Sequence, residues 1–169
     1  GLDYHYDGTD EAPQKRAFAA QLELAYALKL PFCVHSRDAA AGTLRILKDN
    51  RGKLAYGGVM HCFSGSPETA KEYLKLGLYI SFAGPVTFRN ARRLDEVAKE
   101  VPSDRILAET DSPYLAPEPY RGTMNTPKNV AKIYEKLAQL RGVPTEELAA
   151  QIRKNAHTLF TKLNAEAKK

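Results

Sequence analysis

The sequence RILAETD, at Arg105–Asp111, joins an apolar run of strand length to two carboxylates at its carboxyl end. Two earlier runs have a similar form, because Pro31–His35 ends in a histidine and Leu54–Cys62 has a histidine beside its last residue. A fourth apolar run, Tyr79–Phe82, completes the series. Helical patterns of apolar residues separate the runs, and this strand–helix alternation predicts parallel strands joined by right-handed crossovers.

The helical patterns place apolar residues three or four positions apart. They cover Pro13–Leu30, Asp38–Asp49, Pro67–Leu76, Ala91–Val101, Thr126–Leu140 and a last segment from Thr145 toward Leu163. Doubly wound sheets and (β/α)8 barrels both have this alternation. A barrel is favoured, because no glycine-rich phosphate loop follows a strand and because polar side chains stand at strand carboxyl ends, where barrel active sites lie.

The four runs supply half of an eight-stranded barrel, with residues 1–3 as a candidate for a further short strand. The chain begins at Gly1, without a start methionine and without an apolar strand before its first helix. We therefore predict an α/β fold in which residues 1–169 are the C-terminal part of a single TIM-barrel domain, roughly its second half. A segment upstream of Gly1 is expected to complete the barrel.

The composition, 43% hydrophobic and 27% charged, suits a globular domain and excludes collagen-like, coiled-coil and low-complexity classes. No apolar run approaches the ~20 residues that span a bilayer, and no signal peptide opens the chain, so no membrane partner is expected. Cys33 and Cys62 lie inside apolar runs, which favours reduced thiols and a cytoplasmic protein. The net charge of +5 is only a weak indication of polyanion binding.

Metal-ligand side chains stand at three strand ends: His35, His61 and Asp111. Imidazole and carboxylate are ordinary ligands of zinc and also suit manganese or iron. Because the carboxyl ends of barrel strands meet at one face, these side chains are expected to converge, although a lone histidine is more often a hydrogen-bonded structural residue. Glu109 shares strand parity with Asp111, so it is a candidate metal ligand, general base or partner of an arginine.

Seven segments of the chain together resemble the TatD-type metal-dependent hydrolases, in order, with suitable spacing and over nearly the whole length. They are GLDYH at Gly1–His5, VHSRDA at Val34–Ala39, HCFSG at His61–Gly65, FAGPVTFRNA at Phe82–Ala91, ETDSPYL at Glu109–Leu115, RGTMNTP at Arg121–Pro127 and NAHTLF at Asn155–Phe160.

The resemblance implies an amidohydrolase-type barrel that binds one or two divalent metal ions (Mg, Zn or Mn) and cleaves phosphodiester bonds of DNA. It implies that His35, His61 and Asp111 are metal ligands, that Asp111 also orients or deprotonates the attacking water, and that Glu109 is a neighbouring catalytic carboxylate. In that family a His-x-His pair on the first strand and a glutamate just upstream of GLDY contribute as well. Neither lies within residues 1–169.

Cations that suit phosphate lie near the same strand ends. The candidate substrate-binding residues are Arg37, Arg89, Arg92, Arg93 and Arg121, with Lys128 beside the long loop 112–125. A single arginine is more often a solvated surface charge, but the grouping of these cations favours phosphate contacts. Tyr114 and Tyr120 are candidates for stacking on unpaired bases, although loop tyrosines more often pack.

Three further residues have weaker signals. His5 follows residues 1–3 near the expected catalytic face, and a minor site role is open. His157 is expected to be a structural or exposed helix residue. Cys62 is expected to point away from His61 by strand parity, as a small buried hydrophobe.

The residues leave three functions open. The leading hypothesis is a deoxyribonuclease that acts on single-stranded DNA or strand ends, with RNA as a further substrate. A second is hydrolysis of an ester or amide, such as a mischarged aminoacyl-tRNA, because the same metal-activated water attacks a carbonyl. A third is an inactive fragment or binding module, since ligands expected from the family are absent from these residues.

Overall fold

The computed structural model describes residues 1–163 of the 169-residue chain. The strands are β1 (Leu2–Asp3), β2 (Phe32–Val34), β3 (Ser36–Arg37), β4 (Gly58–Met60), β5 (Tyr79–Phe82) and β6 (Ile106–Ala108). The helices are α1 (Glu11–Ala27), α2 (Ala40–Asp49), α3 (Pro67–Lys75), α4 (Arg92–Glu100), α5 (Val130–Arg141) and α6 (Thr145–Leu159). None of these helices combines the length and the hydropathy needed to cross a bilayer.

All the strand pairs are parallel, and successive strands are added on the same side of the sheet. The four-stranded sheet has the order β2-β4-β5-β6, which is the chain order, and β1 pairs with β3 in a second, two-stranded sheet. A doubly wound sheet reverses its direction at a switch point. No reversal occurs among the strands within residues 1–163, so the parallel α/β prediction is confirmed and the order agrees with that of a barrel.

Side-chain alternation along the strands gives the sheet two different faces. On one face Val34, Met60, Ile80 and Ile106 are fully buried in the core. On the other face Cys33, Val59, Ser81 and Leu107 line a cavity of about 820 Å³ whose opposite wall includes residues of α6. Two positions after Cys33, Val59 and Leu107, the chain reaches His35, His61 and Glu109. The same alternation therefore directs these polar side chains to this side of the sheet.

The observed strands are shorter than the apolar runs that predicted them. The run Leu54–Cys62 becomes a strand only at Gly58, because Leu54–Gly57 forms a turn in which the Gly57 N–H donates to the Leu54 carbonyl at 2.9 Å and Gly57 has φ of +78°. The run Arg105–Asp111 stops pairing after Ala108. The predicted metal-ligand side chains therefore stand on the irregular backbone just beyond the strands.

Candidate metal centre

Three side chains meet at the carboxyl ends of β4 and β6. The His61 Nδ1 lies 2.5 Å from Glu109 Oε2, and the His61 Nε2 lies 3.4 Å from Asp111 Oδ1. Within the described residues, this is the group of His, Cys, Asp and Glu side chains whose ligand atoms all lie within 4.8 Å of one another. All three side chains are partly exposed, at 21%, 25% and 30%. The cluster is therefore accessible to an ion or a substrate.

The donor set fits a divalent cation. Glu109 occupies the Nδ1 side of the His61 ring, so the Nε2 atom is left to face Asp111. Two ligand atoms on a tetrahedral cation with bonds of ~2.1 Å lie roughly 3.4 Å apart. The separation of His61 Nε2 and Asp111 Oδ1, 3.4 Å, has this value. A metal-binding histidine usually donates the N–H of its other ring nitrogen to a carboxylate or another acceptor.

Glu109 is held from several directions. It follows β6 directly, its N–H donates to the Phe82 carbonyl at 3.0 Å, and its Oε1 accepts from the Cys62 N–H at 2.9 Å. Burial by itself raises the pKa of Glu109, but hydrogen bonds from His61, the Ser81 hydroxyl and the Cys62 N–H outweigh it, and the pKa lies below its ordinary value. Glu109 is thus an anion with most of its acceptor capacity in use.

The pKa of His61 is shifted in the opposite direction. Its hydrogen bond to Glu109 raises the pKa most, burial lowers it, and the charges of Glu109 and Asp111 raise it further. The protonated, cationic form of the His61 ring is therefore stabilised. Two carboxylates favour positive charge at this point, whether a proton or a metal ion carries it.

His35 lies beside this group and has a different partner. It occupies the single position between β2 and β3, and its ring centroid is 6.0 Å from that of His61. Its Nε2 lies 3.0 Å from Asp3 Oδ2 of β1, and this carboxylate also accepts from the His5 N–H at 3.0 Å. Asp3 was not singled out from the sequence, although its place in GLDYH, within the short strand that pairs with β3, was the available signal.

The backbone that carries Asp111 has a left-handed conformation, with φ of +55°. Asn125, only 3% exposed, fixes this segment from the far side of the loop. Its Nδ2 donates to the carbonyls of Thr110 and Tyr114, each at 2.7 Å, so that it bridges the residues around Asp111. The periodicity of the sequence gives no indication of this role, since Asn125 lies in a stretch without periodicity.

A cavity of about 460 Å³ opens at the cluster. Its lining includes His35, His61 and Asp111, together with Arg37, Tyr6 and Tyr114. The loop 112–125 closes one side because Gly84 allows a very close approach: a Cβ there would lie 1.8 Å from the Leu115 carbonyl oxygen.

The predicted substrate cations divide into separate groups. Arg37 lies in β3 and lines the cavity at the cluster. Arg92 and Arg93 line a neighbouring cavity of about 890 Å³, which shares Ser64 and Pro85 with the first. The remaining candidates line neither cavity. Arg89 and Lys128 are exposed, and the Arg121 guanidinium lies 4.3 Å from the centre of the Phe88 ring, which lines the second cavity.

The residues with weaker signals lie in different surroundings. His5 pairs with Asp38 at 2.9 Å, Tyr120 is 43% exposed, and His157 lies in α6 on the wall of the 820 Å³ cavity. The expectation for Cys62 is wrong, since Cys62 lines the cavity that contains His61. The reason is that β4 ends at Met60 and Cys62 has φ of +42°, so strand parity no longer applies there. Burial raises the pKa of its thiol to about 12.

Comparisons with known proteins agree with this arrangement. The family described as TatD related DNase matches residues 1–161. The uncharacterized metal-dependent hydrolase YabD of Bacillus subtilis (strain 168) is 47% identical over 160 residues, which cover 95% of this chain and 62% of that protein. The uncharacterized metal-dependent hydrolase YcfH of Escherichia coli (strain K12) is 48% identical over 160 residues, covering 95% and 60%.

A solved structure has the same fold. The crystal structure of YjjV, a TatD homolog from Escherichia coli K12, superposes with a TM-score of 0.90 at 32% identity, covering 95% of this chain and 61% of that one. The chain thus spans about three fifths of the length of these relatives.

Proposed function

The chain belongs to the TatD family of metal-dependent hydrolases, and from this premise we propose that it cleaves phosphodiester bonds of DNA, acting on single strands or strand ends. The observation that carries the proposal is the 3.4 Å separation of His61 Nε2 and Asp111 Oδ1, beside a second carboxylate and in an open cavity. The matching family is described as a DNase family, and the metal-dependent hydrolase relatives support the hydrolytic class.

Each residue of the cluster has a distinct task in this proposal. His61 through Nε2, Asp111 through Oδ1 and His35 would hold the metal, with Mg, Zn and Mn all compatible with such donors. A divalent cation bound there supplies Lewis acidity, which lowers the pKa of a water and offsets phosphate charge. Asp111 keeps a second carboxylate oxygen that can orient this water and accept its proton. Glu109 holds the His61 ring in place through Nδ1.

The arginines supply the remaining charge that a phosphodiester needs. Arg37 lies at the cavity with the cluster, and Arg92 and Arg93 lie at the adjoining one. Guanidinium groups bind phosphate oxygens through two parallel N–H donors. We propose that Arg37 contacts the scissile phosphate and that the other two follow the strand, with RNA as an alternative strand.

We also propose that this chain forms part of an eight-stranded barrel, with a further segment packed against the sheet face of Cys33, Val59 and Leu107. Support comes from the cavity of about 820 Å³ on that face and from the sequential order of the parallel strands. Residues 1–169 in isolation are then expected to bind a hydrophobic dye and to have little activity. Full nuclease activity without dye binding would refute this arrangement.

The experiment compares phosphodiester and carboxylic ester substrates with one metal-replete preparation of the complete protein, in which the barrel-completing segment is present. We expect cleavage of a labelled single-stranded oligonucleotide and little hydrolysis of an aminoacyl ester. Asp111→Asn should lower turnover by orders of magnitude while circular dichroism and the melting temperature change little, because it removes both a ligand and a proton acceptor. The matched control is Asp104→Asn, an exposed carboxylate that the cavity does not include.

Two results would overturn the proposal. Hydrolysis of the aminoacyl ester without cleavage of the oligonucleotide would assign the chain to ester or amide hydrolysis instead. Failure to bind any divalent metal by titration calorimetry would indicate an inactive fragment or binding module.

A further inference from the structure

Two exposed tyrosines from distant parts of the chain flank the cavity at the metal cluster. Tyr6 is 68% exposed and Tyr114 is 71% exposed, and both line the cavity that contains His61 and Asp111. We propose that Tyr6 and Tyr114 are two base-stacking surfaces, one on each flank of the scissile phosphodiester, which select unpaired nucleobases. The inference rests on the proposed function, because it specifies the substrate of that same site.

The Tyr6 ring is set in a fixed polar surrounding. The Arg37 guanidinium lies 5.8 Å from the centre of the Tyr6 ring, and the His5 ring meets its edge at 5.2 Å with an interplanar angle of 79°. His5 in turn is held by Asp38 at 2.9 Å. An arginine that can contact a phosphate thus lies beside an exposed aromatic ring, which is the pairing that single-stranded nucleic acid requires.

Tyr114 differs from Tyr6, because hydrogen bonds hold its main chain in place while its ring is exposed. Its N–H donates to the Asp111 carbonyl at 2.9 Å, and its carbonyl accepts from Asn125 Nδ2 at 2.7 Å. The main chain of Tyr114 is therefore tied at both polar groups to the segment that carries a candidate metal ligand. A base stacked on this ring would keep a constant relation to Asp111.

The geometry favours unpaired bases over a duplex. In a duplex both faces of each internal base are covered by its neighbours, so a protein ring can stack only on a terminal, flipped or unpaired base. Tyr6 and Tyr114 are the two most exposed large aromatic side chains among the described residues, and both line this cavity. Two such rings at one cavity with a metal-ligand cluster are accounted for if each covers a base.

The test uses substrates with a single phosphodiester, a thymidine dinucleotide and its counterpart without bases. Both are assayed at saturating metal with the complete protein as parent and with its Tyr6→Ala, Tyr6→Phe, Tyr114→Ala and Tyr114→Phe variants. The parent is expected to have a KM about 100-fold lower for the dinucleotide, since each of its two stacked bases contributes about ten-fold. Each alanine variant should raise that KM about ten-fold and narrow the gap to the abasic substrate. Each phenylalanine variant should keep the gap, because it keeps the ring.

The matched control is Tyr56→Ala. Tyr56 is also an exposed tyrosine, at 38%, but it does not line the cavity. Its removal should leave the base-dependent gap at the parental value. A Tyr6 or Tyr114 alanine variant that loses the same factor on both substrates would refute stacking, as would a parent that does not distinguish them. If the parent cleaves neither phosphodiester, the proposed function itself is wrong.

Discussion

The orientation of Asp111 is predicted to depend on Asn125, a buried residue outside the lining of the cavity at the cluster. The Asn125 Nδ2 donates to the carbonyls of Thr110 and Tyr114, each at 2.7 Å, on either side of Asp111 in the chain. Its Oδ1 accepts from the Thr126 N–H and from Asn129 Nδ2, each at 2.9 Å. The perturbation is Asn125→Ala, which removes all four of these hydrogen bonds.

Two consequences of this change can be estimated. Each buried polar group that loses its partner costs about 1–3 kcal/mol, so the free energy of unfolding should fall by roughly 2–4 kcal/mol after partial access of water. The left-handed backbone at Asp111 also loses its support, and removing a group that orients a ligand typically costs about 10- to 100-fold in metal affinity. Asn125→Ser, which keeps a small polar side chain, should have a weaker effect on both quantities.

Asn155 provides a matched control at the other end of β6. It is also 3% exposed, and its Nδ2 donates to the carbonyls of Ser103 and Ile106, each at 2.8 Å. Asn155→Ala should therefore lower stability by a similar amount without moving Asp111. Metal affinity is measured by titration calorimetry at a temperature where urea denaturation confirms that each variant is folded.

The comparison of the two asparagine variants decides the result. We expect Asn125→Ala to weaken metal binding at least about ten-fold more than Asn155→Ala does at equal stability loss. Equal metal affinities in the two variants would refute the claim that Asn125 positions Asp111. If Asn125→Ala does not fold, Asn125→Ser is compared with Asn155→Ser in the same way.

Three further predictions concern an ion pair, the loop contact and the cations. Ion pairs with Lys48 and Lys75 lower the pKa of Glu72 to about 2, so Glu72→Gln should lower the melting temperature at pH 7. The difference in melting temperature from the parent should vanish as the pH falls from 4.5, the ordinary pKa of a glutamate, toward 2. A difference that persists at pH 2 would contradict this prediction. Gly84→Ala should weaken metal binding, because its Cβ would meet the Leu115 carbonyl oxygen at 1.8 Å and displace the loop 112–125. The control Gly142→Ala, with φ of +66° but open space around it, should cost only about 1 kcal/mol of stability. Replacing both Arg92 and Arg93 with glutamine should lower the slope of log KM against log salt concentration by about 1.4 for a single-stranded substrate, since each phosphate contact contributes ~0.7. An unchanged slope would show that neither arginine contacts the strand.

The sequence by itself determined the fold class and the order of elements. Apolar runs of strand length alternate with helical periodicity, and this local signal survives folding because burial of one helix face and of both sheet faces is the largest favourable term. The short strand at residues 1–3 and the strand Tyr79–Phe82 are both observed. The same pattern placed His35, His61, Glu109 and Asp111 at strand ends, because parity and parallel direction follow from the covalent chain.

Tertiary structure alone decided what these side chains contact. Strand parity ends with the strand, and both Cys62 and Asp111 lie beyond it with positive φ, which is why the expected direction of Cys62 is wrong. The pairing of His35 with Asp3 joins residues 32 positions apart, and that of His61 with Glu109 joins residues 48 apart. Such contacts depend on distances of a few tenths of an ångström between loops. The periodicity of apolar residues does not predict these contacts, because hydrogen bonds are directional and short-ranged whereas hydrophobic burial is neither.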